Sequence, residues 1–542
     1  MAWTNSFIEI QWAFTKWFID DKGRNKIPLQ FSWYSRNCRI QNASTTIRRW
    51  PLSMYSLPTP IQWLHMKNSW TGILVVANWN LYLWTSLIGP VPNIWKVNFI
   101  DYGKYTILLT GMKPYVYENL TNLLYVVPDA NLIASNMVWQ IPEPDPILWA
   151  SLTWFTFIAN NHSKNILHIS KPVVPDTPQN AYDRSNVSWL DDRYADMWEN
   201  REMTSDIVWI IANLQYLYIF CQRTIEVIER WSVQNFQSKW YTTSVPIGDW
   251  DRLANDRAVT CAWQRIFYFT KSLEWKTINH EAGIEFPMIW ELSNRKWQSI
   301  QWWLRDNLDQ QQNNAFMVYD HRENCVELYC ASKGMWYNNL RIVYDIVNDT
   351  FVSVDDGIAM TIAHWDYDYS SWNQWIYLAN SINGAIYHDD QLLFDNYAPS
   401  AIPSATASTI KFEYNTPNMA LWDPTREKLW RWFWISGWWN TATELTIEWY
   451  IDWKLEFTKV INRTQMKSSE IKNVNIWWND MNADSDEKMN MFDYVADHWK
   501  MRKKWKRMRI KIKSNKMSSN FYFDSLSINA MATGNAELND KY

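Results

Sequence analysis

Glycine is nearly missing from this chain, with 12 residues in 542; an average sequence of that length carries about three times as many. Cysteine is scarce as well. The five present (Cys38, Cys221, Cys261, Cys325 and Cys330) are odd in number and show no C-x-x-C spacing, which argues against a disulfide framework or a zinc knuckle and for synthesis in a reducing compartment. No run of 18 apolar residues occurs, and Met1-Ala2-Trp3-Thr4-Asn5-Ser6 opens without a basic region and apolar core. Neither classical secretion nor membrane insertion is therefore expected. Charge of one sign is not in excess: Lys and Arg total 52, Asp and Glu 56, and the net charge is −4, so no global attraction to polyanions is expected. G-x-x-x-x-G-K-S/T, G-x-S-x-G and H-E-x-x-H are all absent, which removes the usual signatures of nucleotide, ester and zinc-dependent peptide hydrolysis. Neither a metal nor an organic cofactor is expected, and no catalytic residue is assigned.

What is present in excess is tryptophan, 41 residues, and many occupy positions where glycine belongs. Residues 71–84 read as an apolar strand, a tight turn at Asn78-Trp79 and an alternating second strand. Hairpin turns need φ > 0, which glycine and asparagine tolerate and a bulky aromatic does not. Asp452-Trp453-Lys454 and Asp249-Trp250-Asp251 repeat the oddity, and Arg49-Trp50-Pro51 and Gly437-Trp438-Trp439-Asn440 look like loops. The two counts look exchanged. Our reading is that many of these letters stand for UGA codons decoded as glycine, as in some bacterial lineages and their viruses. Trp84, Trp275 and Trp365, flanked by apolar or aromatic strand residues, read as true tryptophans. The alternative is a Trp-rich protein that grips sugars on aromatic platforms, but such sites need a few indoles on one face and do not deplete glycine elsewhere.

In chain order, 1–55 is polar and irregular and reads as an N-terminal arm. From 56 to 395 an apolar strand, a polar turn and an aromatic-bearing strand recur every 40–55 residues or so, the pattern of a six- or seven-bladed β-propeller, with 171–200 as an inserted loop. Residues 396–408 are small and proline-rich and read as a linker. Alternating strands over 409–535 then suggest a β-sandwich, containing an acidic loop at 479–493 and followed by a tail at 536–542. The fold class expected is thus all-β.

Two constellations carry chemistry. In Arg507–Lys513 the residues Arg507, Arg509, Lys511 and Lys513 alternate with Met508, Ile510 and Ile512, so the four cations share one face of a strand. They could meet DNA phosphates or an acidic partner, or form a solvated face balanced by the acidic loop. His364, Asp366 and Asp368 lie two apart, as in a metal site or an acid/base pair, and paired carboxylates serve glycosidases. Those carboxylates usually come from different blades, however, so a solvated strand is the simpler reading.

With glycine restored at the suspect positions, Ser205–Ile228, Asn314–Cys330 leading to Val343-Tyr344-Asp345, and the basic Trp499–Lys513 followed by Ser525–Asn529 resemble the tail hub proteins of short-tailed phages, also called tail accessory or packaged-DNA stabilisation proteins. Asn37-Cys38-Arg39 and Arg48-Arg49-Trp50-Pro51 are similar to that family's start. The resemblance implies a non-enzymatic virion protein of propeller-plus-sandwich architecture, assembled in the host cytoplasm. It implies a ring of copies, a hexamer, that sits below the portal and adaptor proteins, closes the channel over packaged DNA and carries the tail spike or needle. The alternative is a carbohydrate-binding or glycoside-hydrolysing propeller that recognises a receptor. A cellular propeller scaffold is the third reading.

Overall fold

In the computed structural model the described residues lie within 6–10, 34–47, 50–126, 146–169, 199–229, 245–246, 251–392, 410–418, 427–468, 492–496, 504–516 and 521–533, with short breaks inside several of these ranges. The linker 396–408, the tail 536–542, Trp250, and nearly all of the loops 171–200 and 479–493 lie outside them. The described chain is almost wholly β, with one short helix, Gln301–Asn307.

Among the described residues, six four-stranded antiparallel sheets and four antiparallel strands of a nine-stranded sheet follow one another as seven units. Unit 1 comprises Ile61–Met66, Ile73–Ala77, Asn80–Leu83 and Ser86–Pro90; unit 2 spans Asn98–Tyr102 to Leu123–Val126; unit 3 Pro146–Leu152 to Glu199–Glu202; unit 4 Ile207–Asn213 to Val245–Pro246. Unit 5 runs from Val259–Ala262 to Met288–Glu291, unit 6 from Phe316–Asp320 to Thr350–Asp356, and unit 7 joins Ile362–Asp368, Trp375–Asn380 and Ala385–Leu392 to the N-terminal strand Trp50–Ser56. Strands such as Ile73–Ala77 and Tyr216–Cys221 are buried at every residue, whereas the fourth strands, Ser86–Pro90 and Leu123–Val126 among them, are largely exposed. Neighbouring sheets cover both faces of the former, which is why those runs are continuously apolar instead of alternating.

The units close on themselves as a β-propeller. Unit 1 packs on unit 2 through Trp63, Leu74 and Leu108, unit 3 on unit 4 through Leu148 and Ile219, and unit 4 on unit 5 through Phe220 and Tyr268. Units 5, 6 and 7 share one large core, and Tyr377, Ala379 and Ile386 of unit 7 meet Ile61, Leu64 and Ile73 of unit 1. The seam is fastened by Trp50–Ser56, whose Tyr55 pairs with Ile386. Beside it Gly384 adopts φ +69°, and a Cβ there would strike the carbonyls of Leu57 and Thr59. This glycine is irreplaceable on backbone grounds.

The described residues of the segment 1–55 do not lie apart as an arm. Ser6–Ile10, Cys38–Gln41 and Ser44–Ile47 enter an eight-stranded sheet built on the long strands Glu427–Trp439 and Phe521–Thr533. Tyr34–Arg36 runs parallel to Thr350–Asp356 of unit 6 and antiparallel to Phe412–Asn415. It thereby extends unit 6 into a nine-stranded sheet that continues through Met508–Ser514, Glu444–Ile451 and Lys454–Asn462. The C-terminal strands expected to form a sandwich thus fall into two sheets, one of them continuous with the propeller; Phe412 and Phe521 meet edge to face between them at 4.7 Å. Gly437–Trp439 and Trp50, expected in loops, are strand residues paired with Phe521–Phe523 and Leu392.

The turn at Asn78-Trp79 has φ of 47° and 61°, and Ala77 faces Asn80 across it; this is the two-residue turn with both central residues left-handed. Asp452-Trp453 repeats it at 44° and 75°, and Trp263 takes 54°. All three indoles are more than half exposed. Trp84, expected to be a true tryptophan, also sits at φ 56°, although its ring packs on Tyr55 at 4.8 Å. Trp275 is the contrary case: fully buried, set against Tyr344 and Phe351, and free of positive φ. Trp365 pairs with Leu378 within its strand. Left-handed backbone costs an L-residue roughly 1–2 kcal/mol. Trp79→Gly and Trp453→Gly should therefore each stabilise the chain by ~1 kcal/mol in urea unfolding, whereas Trp275→Gly should cost about 3–5 kcal/mol. In protein taken from its natural source, peptide mass spectrometry should read glycine at 79, 263 and 453; tryptophan at those positions would refute the codon reading.

Candidate functional site

The basic strand Met508–Ser514 alternates as its sequence dictates, with Met508, Ile510 and Ile512 buried and Arg509, Lys511 and Lys513 half-buried on the other face. Those cations are not presented to solvent as a bare ladder. Phe412–Asn415 and Glu444–Ile451 flank the strand on its two sides, and each brings a carboxylate onto the same face: Lys511 pairs with Glu413, and Lys513 with Glu448 at 2.7 Å. Just beyond the strand, Lys516 reaches Glu444 at 3.4 Å. Arg509 lies over the ring of Tyr450, 4.3 Å from its centre. Arg507 is held through its backbone, its N–H donating to Asp452 Oδ1 at 2.9 Å. The balancing charge thus comes from neighbouring strands of the same sheet. Such a face is a poor polyanion site, because each phosphate contact would have to displace an existing pair.

A second charged group was not singled out in the sequence and is better built. Arg341 and Arg39 both reach the buried carboxylate of Asp355, Arg341 Nε at 2.9 Å and Arg39 at 2.8 Å from the same Oδ2. Arg341 also holds Glu327 at 3.1 Å, and Arg39 reaches Glu323 at 3.0 Å. Tyr329 Oη donates to Glu327 at 2.9 Å, and Ser353 Oγ to the second oxygen of Asp355 at 2.8 Å. Burial works against the charge on Arg39, but Asp355, Glu323 and Glu327 more than offset it and hold the guanidinium firmly protonated. Glu327, Arg341 and Asp355 come from the second, third and fourth strands of unit 6, whereas Arg39 belongs to Cys38–Gln41 of the other sheet. Next to it Asn37, at φ 55°, donates to Asp356 at 3.0 Å and to the Lys411 carbonyl at 2.9 Å, and Arg36 pairs with Asp356. Residues 36–39 are therefore clamped between the propeller and the C-terminal strands. The available sequence signal was a charge inside each of three apolar runs, Leu340–Asp345, Cys325–Cys330 and Thr350–Asp356, since charges at such positions are retained when they pair.

His364, Asp366 and Asp368 lie on the first strand of unit 7, opposite Ala379, Tyr377 and Trp375. All five cysteines are free thiols; burial raises the pKa of each, to about 12 for Cys221 and Cys261, which makes them weak nucleophiles at neutral pH. No helix among the described residues is long and apolar enough to cross a membrane.

No protein-family model and no curated protein matches the chain. Among solved structures it is similar to BBS1N in its complex with ARL6DN (12% identity over 63% of this chain and 97% of that one, TM-score 0.37). It is likewise similar to the N-terminal domain of Nup159 (10%, 62% and 90%, TM-score 0.34) and to Hsv2 of Kluyveromyces lactis (7%, 55% and 98%, TM-score 0.30). Likenesses this slight say nothing of a role.

Arg341→Met leaves two buried carboxylates to one arginine and should cost about 3–5 kcal/mol in urea unfolding; a loss near zero would mean the cluster is hydrated in solution. Glu448 gives a pH test. Burial pushes its pKa up, but hydrogen bonds from Lys513 and Tyr450 and the charges of Lys513 and Lys511 outweigh that and hold it below the usual value. A depressed folded pKa contributes stability above the unfolded value, roughly 4.3, that is lost as pH falls through the folded one. Lys513→Met should therefore cost up to ~1 kcal/mol at neutral pH, and the gap from wild type should close by about pH 3.

Proposed function

We propose that the chain is a structural protein of a short phage tail, without enzymatic activity, whose copies form the hub or nozzle ring. In that role the ring closes the DNA channel below the portal and adaptor and anchors the spike or needle. One observation carries the reading. The segments that bear the resemblance, Asn37-Cys38-Arg39 on one side and Asn314–Cys330 with Val343-Tyr344-Asp345 on the other, are distant in sequence yet meet at a single cluster, where Arg39 binds the carboxylates of unit 6. A start motif and a propeller motif that pack on each other are expected of one inherited architecture; a chance likeness gives no reason for them to touch. The extensive charge pairing within Met508–Ser514 supports a packing role for that strand in preference to direct DNA binding.

Ring formation would use heterologous contacts, one patch of a copy meeting a different patch of the next, with closure set by the rotation between them. Cryo-electron microscopy of virions and of the purified protein should show the chain as a closed ring, a hexamer, at the tail vertex, and proteomics of washed particles should recover it. A stable monomer absent from the particles would sink the assignment.

A further inference from the structure

The face of the propeller at units 5 and 6 carries an open cavity of about 770 Å³. Its walls come from three connections: 251–258, which leads into the first strand of unit 5; the turn at 270–274 between that unit's second and third strands; and 309–315, which leads into unit 6. Antiparallel alternation puts all three at the same end of the sheets. The helix Gln301–Asn307 adds Arg305 from its last turn.

The lining has a distinct chemistry. Arg252, Lys271 and Arg305 supply three cations, and no carboxylate is among the lining residues. Glu274 stands behind Arg305 at 3.4 Å and is shared with Lys276. Arg252 and Lys271 have no ion-pair partner among the described residues, and they are neighbours, the Lys271 N–H donating to the Arg252 carbonyl at 2.9 Å; burial, and after it the Arg252 charge, lowers the pKa of the Lys271 ammonium. Gln312 is spent on structure, donating to the carbonyls of Asp309 and Ala331 and accepting from the Ala331 N–H. Gln310, Gln311 and Asn313 are exposed, and their side-chain amides are uncommitted among the described residues. Two like charges held side by side against open amides are unfavourable alone and favourable around a bound anion.

We propose that this cavity binds an anionic saccharide, with Arg252, Lys271 and Arg305 on its sulfate or carboxylate groups and Gln310, Gln311 and Asn313 on its hydroxyls. Each cation is a point of charge for an acidic group, and each amide offers a donor and an acceptor together, which is what neighbouring hydroxyls require. The volume suits one or two sugar rings of a longer chain that runs out through the open mouth, within the range of about 300–1,000 Å³ for small-molecule sites, and far exceeds a lone phosphate. No tryptophan lines the cavity, so the inference stands whichever way the UGA codons are read. It is independent of the hub assignment, since a tail protein and a cellular scaffold could both use such a site.

Isothermal titration of the full chain with a sulfated heparin-derived hexasaccharide, neutral maltohexaose and inorganic pyrophosphate tests it. The sulfated sugar should bind, the neutral one should not, and pyrophosphate should bind more weakly than the sulfated sugar. Arg252→Ala with Lys271→Ala should weaken hexasaccharide binding by about tenfold or more, with an unchanged thermal melt. Should that pair fail to fold, Gln311→Leu at an exposed position should weaken the saccharide severalfold and leave pyrophosphate unaffected. Equal affinity for pyrophosphate and hexasaccharide would reduce the cavity to a simple anion site and overturn the proposal, as would full binding by a folded Arg252/Lys271 variant or no binding by the wild type.

Discussion

Asp355 is the carboxylate on which the rest depends. It is fully buried, and it accepts from Arg341 of its own unit and from Arg39, more than three hundred residues earlier in the chain. A buried carboxylate is tolerable only when paired and fully hydrogen-bonded. This one is satisfied only when residues 36–39 have been threaded between unit 6 and the C-terminal strands. The cluster therefore adds little net stability over an apolar core, but it makes the wrong arrangement costly. With the N-terminal segment absent, Asp355, Glu327 and Glu323 face one arginine. The charge thus specifies which strand fills the gap between propeller and C-terminal sheet, a specificity that apolar packing, being non-directional, does not supply.

The same segment explains why propeller and C-terminal region are not two bodies joined by a tether. Tyr34–Arg36 hydrogen-bonds on both edges, to unit 6 and to Phe412–Asn415. What would have been an exposed edge of unit 6 is consumed. An edge strand left open invites pairing with another chain, and here the N-terminus of the same chain blocks it. A few residues further on, Trp50–Ser56 closes unit 7. Tyr34–Arg36 and Trp50–Ser56 thus complete the sheet at unit 6 and the ring at unit 7, and both closures wait on long-range contacts, which form slowly relative to local hairpins.

Much of this was legible from the residues. The hairpin theme, the all-β class and the alternation of Glu444–Ile451 follow from period-2 patterning and short apolar runs, signals that survive substitution at the turns. The turn at Asn78-Trp79 was legible in a stronger sense, because a two-residue hairpin turn demands φ > 0 at both positions. Pairing partners were not. Nothing local in Tyr34-Ser35-Arg36 distinguishes a linking strand from a polar arm, and Trp50 and Gly437–Trp439 read as loops because their indoles mimic glycine punctuation. The balance of the basic strand was assigned to a distant acidic loop, since the carboxylates that supply it, Glu413 and Glu448, become neighbours only through sheet order. Trp84 failed for a different reason: its apolar flanks signalled a core side chain, and its backbone sits in the left-handed region all the same.

The excess of tryptophan reaches further than the turns. Arg257, on the approach to unit 5, lies over the indole of Trp63 in the first strand of unit 1. Units 1 and 5 do not adjoin in the ring, so the two side chains meet across its middle. Burial lowers the Arg257 guanidinium to about 9, with Asp256 opposing, and its Nε has no hydrogen-bond partner among the described residues. If position 63 is glycine, the indole that covers this cation is gone. If it is tryptophan, the ring covers the cation in a cation–π contact. The charge cluster at Asp355 and the cavity at Lys271 contain no tryptophan and hold on either reading. The middle of the ring is different: there the codon at position 63 decides whether an indole covers Arg257.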